Sequence, residues 1–264
     1  MSDPATRARR QAWTVVVLLA LPVAAVVAAE RLVVGWALRD PGLFSASTVA
    51  PLLGVGLVLA AQRRLPGLRT AVDLRVNPRV LRRGLVALLL VVALLVLWNQ
   101  VCLLLGWQPV PRIDLDAGMP FVARIGLYLP LALAQEVAWR GIVRPTLAGA
   151  HGWLGASVGT GIVWGLLTAT TWRFGLGFGL LVLIATIGWS VLLGSVLEEM
   201  REGQLVVATM FQWGLMVALF LLLPEETGAA HGAVVLALTS VVGAAAAVRV
   251  YGRSRVARGI PRYA

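Results

Sequence analysis

Apolar residues run through this chain in blocks long enough to cross a bilayer, separated by short segments rich in arginine. The blocks fall near residues 12–29, 47–62, 83–105, 119–148, 153–171, 176–197, 203–223 and 231–250. A run of roughly 20 apolar residues crosses the hydrocarbon core as a helix. Lipid offers no partner to backbone N–H and C=O groups, so each run must satisfy its own and forms a helix rather than a lone strand. The pattern predicts an all-α fold, a polytopic membrane helical bundle with about eight transmembrane helices. The first block, VVVLLALPVAAVVAA after RARRQAW, has the basic start and small residues of a signal peptide. Its length, and the apolar chain that follows, favour a retained first span.

Composition agrees with this reading. The 264 residues are 59% hydrophobic and only 13% charged, whereas a soluble domain carries roughly a quarter charged residues. The net charge is +11, and with no lysine in the chain all of the positive charge is arginine. Such a charge can signal nucleic acid, but here the arginines sit in the gaps between apolar blocks. That placement marks cytoplasmic loops, so the expected partner is the lipid bilayer and not nucleic acid.

The segment QRRLPGLRTAVDLRVNPRVLRR, residues 62–83, holds seven arginines. An even number of spans puts it on the same side as Arg7, Arg9 and Arg10 and as the tail residues Arg249, Arg253, Arg255, Arg258 and Arg262. The other side receives GWQPVPRIDLDAGM and PEETGAAHG, neutral to acidic. Both termini are therefore expected in the cytoplasm of a multi-pass cell-membrane protein. The basic tail either touches anionic headgroups or serves only as a topological anchor. Cys102, the one cysteine, falls inside an apolar block and reads as a small buried hydrophobe.

One block carries charge in its interior. In AQEVAWRG, residues 134–141, Glu136 and Arg140 stand four apart with the acid N-terminal, the favourable order for an ion pair on a helix. Ionisable groups within a span are expensive and commonly functional. A structural pin, each charge offsetting the other's burial, fits the same spacing equally well.

The surrounding letters resemble a known family. QEVAWRG is similar to the EExxxRG motif of the CAAX protease and bacteriocin-processing (CPBP, Abi-like) family of intramembrane metalloproteases. VWGLLTA, residues 163–169, resembles that family's FGxxHA-like second motif. GWSVLLGSVLEEMREGQLVVATMFQWGLM, residues 188–216, resembles its helix, turn and final HxxxN helix. The likeness covers roughly residues 119–222. It implies three regions: N-terminal helices with a basic loop over 1–112, a CPBP-like core over 113–224, and a C-terminal helix and basic tail over 225–264.

In that family the first Glu of the pair activates water, two histidines hold the metal or reacting group, and an Asn stabilises the oxyanion. By position those roles fall on Gln135, Thr168, Gln212 and Met216, none of which keeps the motif's letter. Glu136 and Arg140 do keep it. Counted from the nearest cytoplasmic turn, the four lie roughly 15–22 Å deep at about 1.5 Å per residue, so they are expected to converge at one level. Asn99 and Gln100 are expected to join them there, and Pro130 to kink the fourth helix just before Gln135.

An amide takes no proton at neutral pH, and zinc prefers Cys, His and carboxylate ligands. His151 and His231 are expected at opposite faces of the bilayer. A Ser–Lys dyad has no lysine here, and the aspartates Asp3, Asp40, Asp73, Asp114 and Asp116 all fall outside the blocks. The expectation is a pseudoprotease with no cofactor, binding a membrane-protein or peptide segment. Two alternatives remain: a divergent active metalloendopeptidase, for which the cofactor is zinc, and a small-solute or lipid transporter.

Overall fold

The computed structural model describes residues 4–34, 46–64, 68, 70–106, 121–168, 172, 174–222 and 230–257. These residues are helical wherever the apolar blocks fall, and none of them forms a strand. The helices are α1 (Pro4–Val34), α2 (Ala46–Ala60), α3 (Pro78–Leu104), α4 (Phe121–Ala138), α5 (Arg144–Leu167), α6 (Leu176–Glu198), α7 (Gln204–Leu222) and α8 (Ala230–Ala257). Four of them contain stretches long and apolar enough to cross a membrane: Thr6–Val26, Pro78–Leu104, Leu176–Glu198 and Gly232–Val250. Two shorter apolar stretches are Ala50–Ala60 and Gln204–Leu219.

The fourth and fifth blocks are joined in a way their hydropathy does not reveal. α4 passes through Pro130 and gives way at Trp139–Val143 to a π-helical turn, which leads directly into α5. The break expected between the blocks comes at Gly152, whose φ of 69° is open to glycine and strained for other residues. α4 stays helical through Pro130, and the π turn begins nine residues further on. Five residues before Pro130, the Ile125 carbonyl accepts Trp213 Nε1 of α7 at 2.9 Å.

Two apolar cores divide the bundle. One joins Val91, Leu95 and Trp98 of α3 to Trp189 and Leu193 of α6, Phe211 and Leu215 of α7, and Val235 of α8. The other joins Val15 and Leu19 of α1, Val58 of α2, Trp139 and Ile142 of the π turn, and Leu147 and Val163 of α5. Trp164 of α5 packs against both. Where α5 and α6 cross they come so close that a Cβ on Gly161 would lie 2.6 Å from Ile187 Cα.

A non-helical strap, residues 70–77, ties the two halves at one end. The Ala71 N–H donates to the Gly141 carbonyl in the π turn at 2.8 Å, an acceptor whose helical partner four residues on, Pro145, has no N–H to give. Asp73 accepts from the N–H of Arg75 and of Gly203, each at 3.0 Å. Those two bonds hold its carboxyl below the usual 3.8. Asn77 caps α3 by accepting the Val80 N–H at 2.9 Å and donates to Glu202 at 2.7 Å. Pro78 at the first turn of α3 completes that start. The loop containing Arg75 and the α6–α7 turn thus lie at the same end of the bundle.

Candidate functional site

The polar letters of the fourth block face inward. Glu136 is fully buried and Arg140 nearly so, and Arg140 Nη1 donates to Glu136 Oε1 at 2.8 Å. Helical spacing alone brings the two together. Tertiary packing supplies the rest: the Arg140 guanidinium lies 5.3 Å from the ring centroid of Trp164, a cation–π contact from α5. One turn further on, Arg144 donates to the Gly194 carbonyl at 3.3 Å and to Glu198 at 2.9 Å, reaching α6.

Gln135, beside Glu136, is half-buried and accepts a hydrogen bond from Gln212 Nε2 of α7 at 3.1 Å. The first and third motif-like stretches therefore meet side chain to side chain. Trp164, in the second stretch, meets Arg140. Thr168 ends α5 one turn beyond Trp164, with its hydroxyl on the Trp164 carbonyl at 2.9 Å. Met216 is half-buried, one turn past Gln212 on α7.

Asn99 and Gln100 do not join this group. A Cβ on Gly214 of α7 would run into Leu88 and Val91 of α3, which puts that stretch of α3 beside Gln212. Trp98, next to Asn99, donates instead to the Gly232 carbonyl at the start of α8 at 3.1 Å. Asn99 is thus at least eight residues, about 12 Å, further along α3. The two helices start level with each other, since Val80 packs at Gly203. Gln212 is nine residues into the bundle from there and Asn99 nineteen. Nine residues from Gly203 to Gln212 make about 13 Å, close to the depth expected for Gln212.

Several buried polar atoms here have no protein partner among the described residues. They include Glu136 Oε2, Trp139 Nε1, Arg140 Nη2, Thr209 Oγ1 and Gln212 Oε1. Thr209 lies one turn from Gln212 on the same face of α7, and Trp139 one turn from Gln135. Trp139, Thr209, Trp164 and the Arg144–Glu198 pair carry no motif letter. Only the spacing of Arg140 and Arg144, four apart, and the acids ending the LEEM stretch hinted at the last of these.

The residues at this point do not suit zinc. They offer one carboxylate, already bonded to a guanidinium, and two amides bonded to each other, whereas a catalytic zinc site normally needs about three Cys, His or carboxylate ligands. Among the described residues no three His, Cys, Asp or Glu side chains come together. His151 is exposed beside the Gly152 break, its ring 6.0 Å from that of Trp13. The side chain of His231 and the segments holding Asp3, Asp40, Asp114, Asp116, Arg258 and Arg262 lie outside the described residues.

Comparison with known proteins gives no match, either to a family model or to a curated protein.

Proposed function

We propose that this chain is a multi-pass membrane protein of eight spans with both termini cytoplasmic, built on a CPBP-like core that binds without cutting. The observation that carries the reading is the Gln135–Gln212 hydrogen bond beside the Glu136–Arg140 pair. It joins two stretches that each resemble that family, at the positions where the family keeps a general base and a histidine. Unpaired donors and acceptors on Trp139, Arg140, Thr209 and Gln212 give the centre the means to hold polar groups of a guest. A membrane-embedded or emerging peptide segment, whose backbone carries both donors and acceptors, suits such a lining. Gln135 in place of a carboxylate removes the base at the family's position, and the neighbouring Glu136 is engaged by Arg140.

Zinc content tests the reading. The natural chain purified with zinc present is expected to carry none stoichiometrically. The chain restored at all four positions (Gln135→Glu, Thr168→His, Gln212→His, Met216→Asn) is expected to carry well more. A restored protein that folds yet takes no zinc would remove the family geometry. Stoichiometric zinc in the natural chain, lost on Glu136→Ala, would move the reading to a divergent active metalloendopeptidase.

A further inference from the structure

The strap has an inverted profile. Its polar residues are the ones the protein holds: Asp73 by two backbone N–H groups, Asn77 by Glu202 and Val80. Its aliphatic residues are largely uncovered, Val72, Leu74 and Val76 being 53%, 52% and 61% exposed, although one Val72 methyl lies near Gly141. Three large aliphatic side chains alternating outward would be a liability on a water-facing loop. Arginines flank them. Arg75, 75% exposed at the side chain, lies 3.4 Å from Asp73 and 3.8 Å from Glu202, while Arg79 and Arg82 are exposed on the first turns of α3. α3 itself continues an exposed apolar row through Leu81, Leu85 and Leu89.

We propose that the strap is a lipid-binding element that seats Val72, Leu74 and Val76 at the headgroup–acyl boundary of an anionic bilayer, with Arg79 and Arg82 on the lipid phosphates and Arg75 held beside Asp73 and Glu202. The proposal rests on the bundle spanning a membrane. The occupant follows from the pairing of chemistries: aliphatic groups call for hydrocarbon, and the guanidinium groups beside them call for phosphate. The strap's own polar side is engaged by the α6–α7 turn, so it cannot roll over to hide the aliphatic row. A basic segment next to a span is drawn to an anionic leaflet. This one would enter the interface as well as hover over it, and its Ala71 end stays bonded to the π turn beside Arg140.

Spin-label depth measurements on the full chain in vesicles test this. Nitroxides are placed singly at Val72→Cys, Leu74→Cys and Val76→Cys in a Cys102→Ala background. Leu89→Cys provides a deep reference and Arg201→Cys an aqueous one. Vesicles are phosphatidylcholine with or without phosphatidylglycerol. The strap labels are expected to collide more with oxygen than with a water-soluble nickel complex, at depths short of Leu89, and to move deeper when phosphatidylglycerol is added. Arg79→Gln with Arg82→Gln is expected to abolish that added movement. Strap labels matching Arg201 while Leu89 reads deep would overturn the proposal and leave the membrane reading standing. Labels shielded from both reagents would also overturn it, in favour of a covering protein or a second copy. An aqueous Leu89 would sink the spanning reading and the proposal with it.

Discussion

Replacing Glu136 with Met isolates the Arg140 guanidinium in the bundle. Both side chains are essentially inaccessible, 0% and 2% exposed, and they meet at 2.8 Å. Breaking a buried pair by removing one partner costs about 3–5 kcal/mol, because the survivor keeps its desolvation penalty and loses its counter-charge. The two single changes are not symmetric. An isolated carboxylate can take up a proton and become neutral, whereas a guanidinium stays charged. Glu136→Met should therefore cost the full amount, with only the Trp164 face left to Arg140, worth about 0.5–2 kcal/mol. Arg140→Met should cost less, and the double change less than Glu136→Met alone, since no charge remains buried. Unfolding of the four proteins in mixed micelles, followed by tryptophan fluorescence, measures the cycle. If the double change equalled the sum of the singles to within about 0.5 kcal/mol, the residues would be uncoupled and the pairing argument refuted.

Gly203 sits at φ +65°, and a Cβ there would lie 2.6 Å from the Val80 side chain and 2.7 Å from the Arg75 carbonyl; Gly203→Ala should cost at least about 1–2 kcal/mol and loosen the strap, read as faster proteolysis within residues 68–77. Asp73 is held below 3.8 in the folded chain by the N–H groups of Arg75 and Gly203, so its contribution is complete above that value and is lost as pH falls through the lowered one. Hydrogen exchange at the Gly203 amide should accordingly quicken in acid relative to global unfolding, and Asp73→Asn should remove that pH dependence. For orientation, a cysteine at position 114 should label from outside intact cells and one at position 75 only after permeabilisation, in a Cys102→Ala background; the reverse pattern would invert the topology.

Much of the architecture was legible because hydropathy reports directly on helices in lipid. Blocks at 83–105 and 176–197 became α3 and α6 nearly as drawn, and Glu136 with Arg140 followed from a spacing internal to one helix. Gln135 and Gln212 were paired through motif order, and they do meet. What could not be read were relations between helices. Asn99 was placed by counting from the ends of its own block, yet its level is set by which turn of α3 lies against α7, and that depends on Val80 seating at Gly203. The strap was read only as a charged loop, since arginine content says nothing of an Asp73 carboxylate reaching across 130 positions to a backbone amide. Neither did WRGIV announce a π turn, because its five letters are compatible with α-helix.

That wide turn amounts to a change of phase. A π turn holds one residue more than an α turn, and such bulges cluster at functional positions. One residue of an α-helix is about 100° of rotation, so the turns from Arg144 to the Gly152 break are swung by that angle relative to an uninterrupted α4. Glu136 and Arg140 keep their own alignment, while Arg144 is turned toward Glu198 and the Gly194 carbonyl of a different helix. Deleting Ile142 would return the segment to plain α-helix and rewind the screw. The inward face of α4 would stay put, but α5 would present another side to α6. A single residue's worth of slack is thus what allows the helical rod ahead of Gly152 to serve two neighbours in two directions.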